Sequence, residues 1–150
     1  MTRYKTGLVQ ASVQLKPAFQ DLDPMQVVWH GRYWQFIEEA RIALFDKLGY
    51  GYREMVASGY QWPVVKAEIK YIRPIVLDQQ FTVTADLIEF ENQVKIAFTF
   101  RDYRENTVLC RASSTQVAVR LGGDELQFVT PDCWQNKVRC CLNATTSNAD

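Results

Sequence analysis

One histidine, His30, is the whole imidazole complement of this 150-residue chain, so a zinc site has little nitrogen to draw on. The four cysteines do not make up the deficit, because Cys110, Cys133, Cys140 and Cys141 contain no C-x-x-C pair. They read as reduced thiols, with no metal site and no designed disulfide. Net charge is missing as well: seventeen Lys and Arg balance seventeen Asp and Glu, and no overall field draws the chain to nucleic acid or anionic lipid. Nowhere do about eighteen apolar residues follow one another, and residues 1–9 lack the apolar stretch of a signal peptide. The expectation is a cytoplasmic protein with no nucleic-acid partner and no membrane partner, in which the sequon at Asn143 carries no weight.

What is present is enough apolar material, 47% of positions, to fill the core of one domain. Across residues 8–16, Val9, Ala11, Val13 and Leu15 alternate with Gln10, Ser12, Gln14 and Lys16, the period of a half-buried strand, and Pro17 ends it. An irregular stretch through Asp21, Asp23 and Pro24 follows. From about residue 30 to 48 the apolar residues Tyr33, Ile37, Ala40, Leu44 and Leu48 recur at spacings of three and four, and Phe36 and Phe45 widen the stripe. This is a helix buried over much of its circumference, stopped by Gly49, with a short second helix over 52–58 closed by Gly59.

Strands rich in Val, Ile, Phe, Thr and Tyr are then expected at 61–71, 80–90, 93–103 and 108–120, with hairpin turns at 91–92 and 104–106. Residues 121–124 read as a turn, 126–129 as a short extension, and 143–150 as a disordered polar tail to a single domain at 1–142. Strand, long helix, then four strands is the order of an α+β domain whose antiparallel sheet covers one unusually apolar helix. The curved sheet's edges need protection, and self-pairing into a dimer supplies it.

The chemistry-bearing residues crowd the boundary between the first strand and the long helix. A helix start offers unpaired backbone N–H groups and partial positive charge to a carbonyl oxygen, and an Asp just upstream can act as nucleophile or general base at the same carbon. Read singly, Asp23 before Pro24 is an ordinary turn residue and His30 a packed or capping histidine beside Trp29 and Tyr33. Glu38 and Glu39 point about 100° apart on a helix, so at most one faces a common site. Glu39 reads as solvent-facing and Glu38 as a partner for Arg41.

The stretch 23–41, with Asp23, Val27 or Val28, His30, Tyr33, Glu38, Ala40 and Arg41 at characteristic spacing, resembles the signature of the 4-hydroxybenzoyl-CoA thioesterase family of hotdog-fold proteins, including its acyl-CoA thioesterase branch. The likeness continues more weakly through Pro63, residues 71–74 and the later strands, to about residue 120. It implies a hotdog fold, an antiparallel sheet wrapped around a central helix, and hydrolysis of an acyl-CoA or acyl-carrier-protein thioester. By that resemblance Asp23 is the catalytic carboxylate, as nucleophile or base, and backbone N–H groups at His30 and Gly31 hold the thioester oxygen, with the His30 side chain orienting. Tyr33 and Glu38 support the helix start or line the acyl pocket. One departure stands out: many members have Gly where this chain has Gln26, which brings an amide towards the substrate, and Met25 beside it supplies an apolar wall.

No cofactor is implied, coenzyme A being part of the substrate, and the partner copies are those of a homodimer assembling into a homotetramer. Lys66, Lys70, Arg73, Arg101, Arg104 and Arg111 are the cations available to CoA phosphates. A hotdog hydratase or dehydratase acting on enoyl or 3-hydroxyacyl thioesters, and a non-catalytic thioester-binding module, are the alternative functions on the same fold.

Overall fold

In the computed structural model, which describes residues 7–147, the period-two segment forms β1 (Val9–Leu15) and the apolar stripe forms α1 (Tyr33–Lys47). There follow α2 (Tyr52–Ser58), β2 (Tyr60–Gln61), β3 (Val64–Tyr71), β4 (Phe81–Glu89), β5 (Val94–Asp102), β6 (Val108–Gln116), β7 (Ala118–Arg120), β8 (Leu126–Gln127) and α3 (Asp132–Ser147). Five strands make an antiparallel sheet in the order β1-β4-β5-β6-β3, and β2, β7 and β8 make a smaller one.

The sheet's inner face presents Phe81, Val83, Ala85 and Leu87 from β4 and Val94, Ile96, Phe98 and Phe100 from β5, all buried. Against them α1 sets Phe36, Ile37, Ala40 and Leu44, with the Phe36 and Phe81 rings meeting edge to face at 5.2 Å. All five residues of the expected stripe, Tyr33, Ile37, Ala40, Leu44 and Leu48, are buried. The sheet wraps the helix as the hotdog arrangement requires.

Two long strands expected from composition are each divided. Pro63 has no N–H to give a ladder, so residues 61–71 split into β2 and β3. Opposite it, Val117 is left with a single bond to the Pro63 carbonyl at 3.3 Å, and 108–120 divides there into β6 and β7.

The end of the chain is the larger correction. Residues 132–147 form α3, which seals the core with Trp134 and Val138, both fully buried, while Trp134 Nε1 donates to the Phe90 carbonyl at 3.0 Å. The polar tail expected from residue 143 is thus helical through 147, and residues 148–150 lie outside the described part. Among the described residues no helix is long and apolar enough to cross a membrane.

Candidate active site

Asp23 stands at the head of a tight hairpin that runs back on itself before α1. Leu22 bridges Val28, Asp23 N–H donates to the Val27 carbonyl at 2.9 Å, and Gln26 N–H donates to the Asp23 carbonyl at 2.9 Å. The residue types fit this shape: Asp at the first position, Pro24 at the second with its preset φ, and a left-handed residue at the fourth. That fourth residue is Gln26, at φ 65°. A glycine is the natural occupant of such a position, so the family's preference for Gly there is a backbone requirement that this chain meets with a strained Gln. Asp23 Oδ1 accepts from Met25 N–H at 2.8 Å. No hydrogen bond among the described residues holds its other oxygen.

The hairpin is fastened on both sides. Val28 N–H donates to the Ile75 carbonyl at 2.8 Å, and Trp29 N–H to the Asp21 carbonyl at 2.9 Å. The chain then enters a 3-10 turn over His30–Arg32 that leads straight into α1. Arg32 N–H is taken by the Trp29 carbonyl at 2.8 Å, whereas the N–H groups of His30 and Gly31 have no acceptor among the described residues. These are the orphan donors of a helix start, where the backbone dipoles add positive potential. A Cβ on Gly31 would fall inside the ring of Trp29, which explains a glycine in the turn.

Asp23, His30 and Tyr33 line one groove of about 300 Å³, together with Val27, Val28, Tyr71, Ile72, Arg73 and Pro74. Asp23, with one oxygen unengaged, and His30, with its N–H unpaired, therefore border the same space, and the unpaired Gly31 N–H is the next in the chain, which brings the two halves of an acyl-transfer site to one place. Tyr33 is the floor rather than a reactant. It is 3% exposed, its ring meets Tyr71 edge-on at 4.9 Å, and burial pushes its phenol up to about 12. The Tyr71 hydroxyl donates to the His30 carbonyl at 2.9 Å.

The structure separates the other residues singled out in the sequence. Met25 is 81% exposed on the hairpin tip beside the exposed Gln26, and neither lines the groove. Glu38 lies two turns along α1 on the wall of a second, larger cavity, where it accepts from the buried Arg41 Nε at 3.1 and 3.2 Å, the pairing that their spacing suggests. Of the cations singled out for CoA phosphates, Arg73 borders the Asp23 groove, while Lys66 pairs with Glu68 at 3.2 Å and Arg104 borders an acidic cleft with Asp78, Asp102 and Glu105. Tyr71 has no role in the sequence reading beyond its place in the 71–74 segment, since only the fold brings the end of β3 against the start of α1.

This arrangement, a curved sheet around one helix with a carboxylate at the helix start, defines a hotdog-fold protein. Residues 17–137 match the thioesterase-like superfamily, and the chain belongs to that family. It is 28% identical over 107 residues to YneP of Bacillus subtilis (strain 168), provisionally named an acyl-CoA thioesterase, a likeness covering 71% of this chain and 77% of YneP. Among solved structures it is similar to Slr0204, a 1,4-dihydroxy-2-naphthoyl-CoA thioesterase from Synechocystis, with a TM-score of 0.77 at 16% identity over 87% of this chain and 96% of that one. A 4-hydroxybenzoyl-CoA thioesterase variant complexed with 4-hydroxybenzoyl-CoA superposes with a TM-score of 0.75 at 18% identity, covering 86% and 98%.

Proposed function

We propose that this protein hydrolyses an acyl thioester of coenzyme A or acyl-carrier protein, with Asp23 as the reacting carboxylate and the His30 and Gly31 N–H groups as the oxyanion hole. One observation carries the reading: Asp23, with one oxygen free, and His30, with its N–H unpaired, line one groove, and the unpaired Gly31 N–H follows directly in the chain. As the thioester carbonyl becomes tetrahedral its oxygen gains negative charge, and fixed donors at a helix start stabilise that charge without reorganising. Asp23 then acts in one of two balanced ways. As nucleophile its oxygen bonds to the carbonyl carbon, the C–S bond breaks, the thiolate leaves and takes a proton from water, and a second water opens the anhydride. As base it takes a proton from a water that attacks the same carbon directly, and the thiol leaves with that proton.

The reading extends to a pair of copies. β3 is an edge strand, exposed along almost its whole length, with Val64 and Val65 open to solvent on a row of unpaired backbone groups. Antiparallel self-pairing centred on β3 sets Val64 of one copy opposite the other copy's Tyr71. The proposed pairing sets the larger cavity of one copy, with Trp62 in its wall, beside the Asp23 groove of the other, as a wall for the acyl group. The assembly proposed is a cytoplasmic homodimer that pairs again into a homotetramer, with Arg73 at the groove mouth for the CoA or phosphopantetheine arm.

Turnover of a panel of acyl-CoAs by Asp23→Asn and Asp23→Ala tests the reaction, with a loss of about 10²–10⁴-fold expected. Full activity in either variant ends the proposal. His30→Ala should lose less, because its side chain supplies neither the carboxylate nor the N–H. Single turnover in ¹⁸O-water, with the label sought in Asp23, separates nucleophile from base.

A further inference from the structure

The larger cavity, about 550 Å³, opens between α1, α2 and β2, and Ile42, Phe45, Tyr52, Met55, Val56 and Trp62 give it an apolar wall. Such a volume with few polar groups suits a small organic ligand. The polar group that matters is Arg41, which lines the cavity and is only 5% exposed. Its Nε donates to Glu38, and its Nη1 donates to Ser114 Oγ at 2.9 Å and Gln116 Oε1 at 2.6 Å. Its Nη2 is buried and has no acceptor among the described residues. The guanidinium carbon lies over the Phe98 ring at 5.3 Å, which steadies the charge but gives Nη2 no in-plane acceptor. A buried donor without an acceptor pays its full desolvation, so the residue that lines this cavity keeps one hydrogen-bond donor in want of a partner.

The charge around it restricts the partner. Among the described residues Arg41 is the one cation lining the cavity, and Glu38 and Asp46 line it too, leaving one negative charge in excess. A carboxylate brought there meets net repulsion. A neutral oxygen takes the hydrogen bond without that opposition, and the apolar wall accepts the carbon chain or ring that carries it.

We infer that this cavity binds the substrate's acyl group and that Arg41 selects acyl groups bearing an uncharged oxygen acceptor, a keto carbonyl above all, over plain hydrocarbon and over carboxylate-tailed acyl groups. That the occupant is acyl rests on the thioesterase reading; the cavity and its unpaired donor do not. Nη2 is buried, so engaging it requires the guanidinium to shift as the ligand enters.

The test uses two ligands that differ only in the acceptor, an alkyl phenyl ketone and the alkylbenzene of equal length. They are titrated into the full-length Asp23→Asn protein and followed by tryptophan fluorescence, which Trp62 reports from the cavity wall. The ketone is expected to bind about tenfold more tightly, and Arg41→Met to abolish that preference while leaving the hydrocarbon's affinity. Equal affinities in the Asp23→Asn protein, or a preference that survives Arg41→Met, overturn the inference. If Arg41→Met does not fold, Glu38→Gln decides, because the Glu38 side chain is 53% exposed and its loss spares the core. With the counter-charge removed, an alkylbenzoate should gain about tenfold in affinity, and no gain overturns the inference. Keto and methylene acyl-CoAs of one length should differ in kcat/KM in the same sense. The ligand titration needs no turnover, so failure here is distinct from the outcome that ends the thioesterase reading, full hydrolysis by Asp23→Asn.

Discussion

The Tyr71 hydroxyl donates to the His30 carbonyl at 2.9 Å, and that carbonyl belongs to the same peptide unit as the Gly31 N–H. A hydrogen bond received at one end of an amide strengthens the donor at the other and fixes the plane in which it points. The end of β3 is thereby coupled to the turn that offers the oxyanion its donors.

Tyr71→Phe removes this bond and keeps the ring, which packs against Tyr33 at 4.9 Å and His30 at 6.4 Å. A net hydrogen bond of about 1 kcal/mol that acts on the developing oxyanion corresponds to a fall of about five- to tenfold in kcat with KM held. Steady-state kinetics on one acyl-CoA checks it. A risen KM with unchanged kcat would show that Tyr71 serves ground-state binding instead.

Gln26 sits in the left-handed region at φ 65°, at the fourth position of the Asp23 turn. The strain there is about 1–2 kcal/mol for a residue with a Cβ, offset by about 0.5–1 kcal/mol of extra chain entropy that a glycine loses on folding. Gln26→Gly should therefore stabilise by about 0.5–1 kcal/mol and raise the melting temperature by about 1–4 °C. Gln26→Val, β-branched at the same φ, should lower it. A melting temperature that falls in Gln26→Gly would mean that the amide makes a compensating contact in the assembled protein.

How far the sequence reached depends on whether the deciding signal is local. The alternation around Val13, the stripe through Ile37 and Leu44, and the stop at Gly59, which adopts φ 86°, are local patterns, and the corresponding elements form. Asp23 before Pro24 reads as a turn and is one, yet nothing near it in sequence says that it borders a groove shared with the start of the helix. Tyr71 and Arg41 take their surroundings from strands and helices tens of residues away, so periodicity is silent about them. The helix α3 carries a local signal that its composition masks. Trp134, Val138, Cys141 and Leu142 fall at helical spacing after Pro131 and Asp132, but the Asn- and Thr-rich end of the segment has the composition of a tail.

Because Trp134 is fully buried among Phe45, Tyr50 and Trp62, with ring separations of 5.5–5.6 Å, α3 belongs to the core and is no appendage. Trp134→Ala should cost about 3–5 kcal/mol, measured as a lowered urea midpoint. A chain ending at residue 131 should not give a cooperative transition at all. A shortened chain that unfolds with the midpoint of the full protein would exclude α3 from the folding unit.

Alkaline pH probes the ground beneath the site. Burial pushes the Tyr33 phenol up to about 12 from an ordinary 10, and the Cys110 thiol up to about 12 from an ordinary 9. Both groups are neutral when protonated, so a raised pKa means that the fold prefers the protonated form. Above about pH 9 for Cys110 and about pH 10 for Tyr33 the unfolded chain sheds a proton that the folded chain retains, and stability falls with each further unit until about pH 12. Below pH 9 neither group contributes a slope. Urea titrations from pH 8 to 11 should accordingly show stability steady at first and then declining. Cys110→Ala should remove the earlier part of the decline, between about pH 9 and 10, and Tyr33→Phe should lessen the later part. Each variant has its own baseline cost, so the diagnostic is the slope against pH. An identical slope in the parent and in the double variant would show that neither buried group governs the alkaline limit.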